Sequence, residues 1–206
     1  MTTKIKAPRR RSAHTHAGEL RLNCARDDGD TTCYLGLDLS LTCSGVVSID
    51  KDGHIIKEVE IKGGKLRGAE RLHHLKDCMT TQIHLLDRLG YTDIIAVIEN
   101  YAMGIRGGKL ASIGEWGGIC RLLLYDRNIE YVEVSPTSLK KFVTGKGGSP
   151  KDVMMLETYK RWGKSFSSND ICDAYGLAQM GRHAREGNLT MTVPQKDAVD
   201  KTFNAG

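Results

Sequence analysis

Four acids stand where their chemistry, rather than solvation, explains them. Asp38 lies within the apolar run from Cys33 to Leu39, where an unpaired charge is costly unless a partner or a metal compensates it. Glu99 ends a second apolar run, Ile94 to Ile98. Asp170 and Asp173 stand three apart on an expected helix, a spacing that projects both from one face. Converging carboxylates repel one another, and a hard divalent cation turns that repulsion into binding. Two such ions about 3.5–4 Å apart activate a water and stabilise the leaving oxygen of a phosphodiester. The expected cofactor is therefore Mg²⁺, with Mn²⁺ as a substitute and two ions per site. Taken singly, Asp170 also reads as a helix cap and Glu99 as a strand-end acid in solvent. Asp38 resists any such reading, and the four together favour a metal site.

The elements that must position these acids follow from hydrophobic periodicity. Cys33–Leu39, Cys43–Ile49 and His54–Ile61 read as strands, joined closely enough for an antiparallel meander. From Arg67 to Leu89 the period changes: Leu72, Leu75, Met79, Ile83, Leu86 and Leu89 form one helical stripe, with Gly90 as its stop. Asp93–Glu99 is a nearly continuous apolar run, as a strand covered on both faces requires. A glycine-rich basic loop, Gly104 to Lys109, leads into a helix ending at Asp126, and Ile129–Val134 is a further strand. Thr137–Thr144, Pro150–Trp162 and Asn169–Arg185 read as helices. The whole is an α/β chain with a mixed sheet, three antiparallel strands followed by parallel ones, flanked by helices.

Composition narrows the class. The 206 residues suit one domain with tails, and 40% hydrophobic with 27% charged residues is an ordinary globular balance. No run approaches a membrane span, so no membrane partner is expected. The net charge of +5 is informative only where cations gather near a chemical site. Six cysteines, at 24, 33, 43, 78, 120 and 172, form no C-x-x-C pair and read as reduced, mostly buried thiols. The first eighteen residues hold no acid but carry Lys4, Lys6 and Arg9 to Arg11, a flexible basic tail by composition. The expected division is a tail over 1–31, a catalytic domain over 32–186 and a C-terminal tail over 187–206, in a cytoplasmic protein. Organellar targeting by the basic N-terminus is left open.

Several stretches resemble a known family. The segment Leu35-Gly-Leu-Asp38-Leu-Ser-Leu-Thr-Cys-Ser-Gly45 looks like the first-strand motif of RuvC-type resolvases. Ile98-Glu99-Asn-Tyr resembles the second acidic motif of that family, and Asn169-Asp170-Ile-Cys-Asp173-Ala-Tyr-Gly-Leu-Ala178 resembles its last. Ser138 to Lys151 is similar to the stretch carrying DNA-contacting lysines. The resemblance runs from about Cys33 to Ala184, with spacing nearest to phage-encoded members. It implies an RNase H-like fold and a Holliday junction endonuclease, with Asp38, Glu99, Asp170 and Asp173 as catalytic metal ligands. It also implies a homodimer that nicks opposed strands of a four-way junction. Tyr101 stands where either a junction wedge or a packing tyrosine fits.

Arg106, Lys109, Lys140, Lys141, Lys146 and Lys151 lie on expected loops and helix ends, and are candidate phosphate contacts. An ordinary solvated surface is the alternative for each. His73, His74 and His84 read as surface or packing residues. Gly114, Gly117 and Gly118 cost the second helix about 1 kcal/mol each relative to alanine, which close approach of a dimer partner or loose packing would explain. Two rival functions remain. The first motif also resembles the phosphate hairpin of actin–hexokinase ATPases, which need two large lobes. A non-catalytic junction-binding protein would not need all four carboxylates.

Overall fold

A computed structural model describes residues 29–100, 108–187 and 189–204. The elements follow in the order β1 (Thr32–Asp38), β2 (Cys43–Asp50), β3 (Ile55–Lys62), α1 (Gly68–Arg88), β4 (Asp93–Glu99), α2 (Gly108–Asp126), β5 (Glu130–Val134), α3 (Pro136–Thr144), α4 (Lys151–Trp162), α5 (Asn169–Glu186) and α6 (Val193–Phe203). The sheet order is β3-β2-β1-β4-β5. β1 to β3 pair antiparallel, while β1–β4 and β4–β5 pair parallel. The expected mixed RNase H-like sheet is therefore observed.

Alternation along the central strands builds two cores. On one face Cys33, Leu35, Leu37, Ile94, Ala96 and Ile98 meet the stripes of α1 (Leu75, Met79, Ile83, Leu86) and α2 (Trp116, Cys120, Leu124). On the other, Tyr34, Val47, Ile95 and Val97 pack beneath α5 and its neighbours α3, α4 and α6. Both faces of β1 and β4 are thus covered, which is why these runs read as continuously apolar. Cys33, Cys120 and Cys172 are buried free thiols, and Cys43 and Cys78 are partly buried. No helix among the described residues is long and apolar enough to cross a membrane.

Two expectations change. Lys109 falls within α2, one residue after its start, and not in a loop. The segment 187–206, expected as a tail, contains α6, which packs against α3, α5 and β5. The side chain of Gln195 accepts from the Thr192 backbone N–H at 3.0 Å, which caps its start. The buried face of α6 is Gln195, Ala198, Val199 and Thr202. Two of those four are polar and one is alanine, so the helix shows no apolar stripe in sequence.

Candidate active site

Asp38 and Glu99 end β1 and β4, adjacent parallel strands with Leu37 opposite Ile98. That register sets the two carboxyl groups side by side at the carboxyl edge of the sheet, where open α/β sheets carry their sites. α5 supplies the other pair. Ser168 caps it, its hydroxyl accepting from Ile171 N–H at 3.3 Å. Asp170 is therefore not the cap and is left in the first turn.

Two glycines let α5 lie on the strands. A Cβ at Gly36 would sit 1.9 Å from the Ala174 carbonyl oxygen, and one at Gly45 would sit 2.0 Å from that of Asp170. Gly45 pairs with Asp38 across β1–β2, so the close approach of helix and strand occurs beside the first carboxylate. Sequence reading placed both glycines in the motif without this role.

The electrostatics record the convergence. Burial pushes Asp38 up to about 9, reinforced by Glu99, Asp173 and Asp170 in that order. Burial and then Asp173 raise Glu99 to about 7, against a hydrogen bond from Asp38 and the fields of Lys140 and Lys151. Asp38 is thus the proton donor of the pair. Asp173 rises to about 6, mainly through burial, with Lys151 opposing and Asp170 reinforcing. Asp38 feels the other three predicted acids, Asp173 feels Asp170 and raises Glu99, and Lys140 and Lys151 reach the same cluster.

Lys146 is exposed on the α3–α4 loop. Lys141 turns away to an ion pair with Asp197 of α6. Tyr101 and Arg106 lie outside the described residues, and for Lys109 only the backbone is described.

Sequence reading missed a second group beside the acids. The ligand atoms of Cys43, Glu60 and Asp170 lie within 4.8 Å of one another. Burial, then a hydrogen bond to Asp170, lifts the Cys43 thiol to about 12. It is therefore a neutral donor at the edge of the acids and not a thiolate. Also missed was a buried brace on the turn after Asp38. Ser44 Oγ donates to the Ser40 carbonyl at 2.7 Å, and accepts from Ser40 N–H at 3.0 Å and from Trp116 Nε1–H at 3.1 Å. Trp116 is 72 positions from Ser44, and no local pattern links them.

The donor set fits a hard divalent cation. It is four carboxylates, held by two strand ends and one helix, with mutual repulsion that a cation would relieve. The acidic cluster can bind a divalent metal. Asp50, Asp52 and His54 also lie close together, but there Asp50 Oδ1 accepts from the backbone N–H of both Asp52 and His54 and closes a turn.

No family model matches the chain. The crossover junction endodeoxyribonuclease RuvC of Rhodospirillum rubrum is 27% identical over 165 residues, covering 77% of this chain and 94% of that protein. RuvC of Brachyspira hyodysenteriae is 30% identical over 83 residues, 40% of this chain and 52% of that protein. Among solved structures, Thermus thermophilus RuvC superposes with a TM-score of 0.62 at 15% identity, over 78% of this chain and 99% of the other. The same protein in complex with Holliday junction substrate gives 0.60 at 14% identity, with the same coverage. Extended sequence similarity, sheet order and the acids at the strand ends agree: the chain is similar in sequence to RuvC proteins and shares the RNase H-like fold of Thermus thermophilus RuvC.

Proposed function

We propose that this chain is a structure-selective endonuclease that resolves Holliday junctions and other branched DNA by divalent-metal-dependent phosphodiester hydrolysis, acting as a homodimer that makes paired nicks. The carrying observation is the convergence of half-buried Asp38 and Glu99, at the carboxyl ends of β1 and β4, with Asp170 and Asp173 of α5, in a chain similar to RuvC. These four would hold Mg²⁺, with Mn²⁺ as a substitute, as a pair of ions. When bound there, the cations would supply an activated water and neutralise charge on the leaving oxygen. Asp38 and Glu99 are fixed by the sheet, so they order the site before substrate arrives. Lys140 and Lys151 sit at the α3 and α4 side of the acids, where they hold backbone phosphates on that side of the cut. Lys146 is a further candidate phosphate contact, as are Tyr101, Arg106 and Lys109 by sequence, and Lys141 becomes one only if it leaves Asp197. The deciding experiment offers the protein a four-way junction, a Y-fork and a linear duplex, each with and without Mg²⁺. Metal-dependent cutting of the branched substrates alone is expected, and equal cutting of linear duplex would refute the structure selectivity.

The homodimer finds support on α2. Gly114, Gly118, Leu122 and Tyr125 recur at steps of four, four and three along one face. A Cβ at either glycine meets nothing within 4 Å, and Leu122 and Tyr125 are 59% and 48% exposed. Two small residues beside two exposed apolar ones suit a helix packed on its own copy about a two-fold axis. Glutamate at both Leu122 and Tyr125 is expected to give monomers by light scattering and to replace paired nicks with single ones. A wild-type protein that is monomeric both free and on junction DNA would remove the dimer and leave the nuclease.

A further inference from the structure

The β3–α1 connection, Lys62-Gly-Gly-Lys65-Leu-Arg67-Gly68, lies at the same edge of the sheet as the carboxylates. Lys62 pairs with Cys43 across β2–β3, and its charge interacts with Asp170. From there the loop is anchored on the turn that follows Asp38. Gly63 N–H donates to the Thr42 carbonyl at 3.4 Å, and a Cβ at Gly63 would sit 2.5 Å from the Leu41 carbonyl oxygen. His74 Nε2 lies 3.2 Å from the Lys62 carbonyl oxygen and ties the loop to α1. The loop is therefore held against the site.

Its charge is one-sided. Residues 60–71 carry Lys62, Lys65, Arg67 and Arg71 against Glu60 and Glu70. Glu60 is already engaged by Lys62 at 2.7 Å. Lys65 and Arg67 are exposed, and neither forms an ion pair among the described residues. Exposed cations on a loop anchored at the site's edge gain little from folding, since surface charges contribute little to stability. They suit a polyanion that must cross the acids.

We infer that Lys65 and Arg67 form a second phosphate-binding track, which holds the DNA arm leaving the active site on the β3 side. The inference rests on the nuclease reading and deepens it. Lys140 and Lys151 reach Glu99 and Asp173 from the α3 and α4 side, whereas Lys62 reaches Asp170 from the opposite edge of the sheet. A strand with its scissile phosphate on the carboxylates continues in both directions, so its neighbouring phosphates meet one cationic group on each side. Phosphate contacts of this kind set position without reading sequence.

The test measures junction affinity against salt for the full-length protein without divalent metal. Wild type, Lys65→Ala with Arg67→Ala, and Lys140→Ala with Lys151→Ala are compared. Every phosphate that is no longer neutralised lowers the slope of log affinity against log salt by about 0.9, so each double variant should drop by roughly 1.8. Lys65→Arg with Arg67→Lys should restore the wild-type slope, a rescue that charge explains and local packing does not. Lys65→Glu alone serves should the double alanine variant unfold, and it should weaken binding most at low salt. An unchanged slope in folded Lys65→Ala, Arg67→Ala protein overturns the track. Wild-type protein that binds no branched DNA overturns the nuclease reading instead.

Discussion

Asp38→Asn is expected to abolish cleavage and, in the same protein, to raise the melting temperature of the metal-free form. The first effect follows from removing an anionic ligand where charge develops during hydrolysis, a loss on the order of 10²–10³-fold or more in rate. Glu99→Gln, Asp170→Asn and Asp173→Asn should behave alike, with junction binding largely kept because affinity comes from phosphate contacts. The second effect follows from linkage. Asp38 titrates near 3.8 as a free side chain and is held up to about 9 in the fold. A carboxyl raised in this way binds its proton more tightly folded than unfolded. It therefore costs no stability below pH 4, and its cost grows as pH rises from about 4 towards 9. Asparagine removes that cost and can still donate a hydrogen bond to Glu99, as the protonated Asp38 does. A stabilising change of this type is typically about 0.5–2 kcal/mol, and each kcal/mol moves the midpoint of a chain this size by roughly 2–4 °C. The gain should be seen at pH 8 and vanish at pH 4. Added Mg²⁺ should stabilise the wild type more than the variant, because it binds the ionised form that asparagine lacks. Wild-type cleavage by any two of the four variants would remove the proposed metal site, and an unchanged melting point for Asp38→Asn at pH 8 would remove the account of a carboxylate strained by burial and neighbouring charge.

How far the sequence carried depended on how local each feature's cause was. β1 and β4 were legible because both faces of each are covered, which leaves unbroken apolar runs ending in the acids. α1 was legible because one face only is buried, giving the stripe Leu75, Met79, Ile83 and Leu86. α6 was not, since its buried face mixes Gln195 and Thr202 with small residues. Pairing of Lys141 with Asp197 depends on that helix and was hidden with it. Asp38 and Glu99 could be named as candidates because a charge in or at the end of an apolar run is conspicuous in one dimension, and Asp170 and Asp173 because a spacing of three puts both on one helix face. What brings the last two to the first was not conspicuous. It is the missing side chains of Gly36 and Gly45, together with a brace from Trp116 to Ser44 that spans two layers of the fold.

Gly45→Ala tests that dependence, and it should inactivate the enzyme without touching any carboxylate. The added carbon would lie 2.0 Å from the Asp170 carbonyl oxygen, 2.4 Å from its carbonyl carbon and 3.0 Å from Ile171 N. All three are backbone atoms of the first turn of α5, so no side chain can swing aside to accept it. Relief requires the helix start to move off β2 by about 1 Å, a misplacement that can cost roughly 10²-fold in rate. Asp170 and Asp173 ride on that turn and would withdraw from Asp38 together. Overpacking of this kind also costs about 1–3 kcal/mol of stability, which at roughly 2–4 °C per kcal/mol is a visible drop in midpoint. Gly148→Ala is the control, since a Cβ there meets nothing within 4 Å, and it should change neither rate nor stability appreciably. Junction binding by Gly45→Ala should persist, because Lys140 and Lys151 lie on α3 and α4. The Mg²⁺ concentration needed for half-maximal cleavage should rise, as expected when ligands are pulled apart and not when the fold is merely loosened. Wild-type rate and Mg²⁺ dependence in Gly45→Ala would show that α5 has slack at its start, and that the closeness of helix and strand is not what assembles the acids.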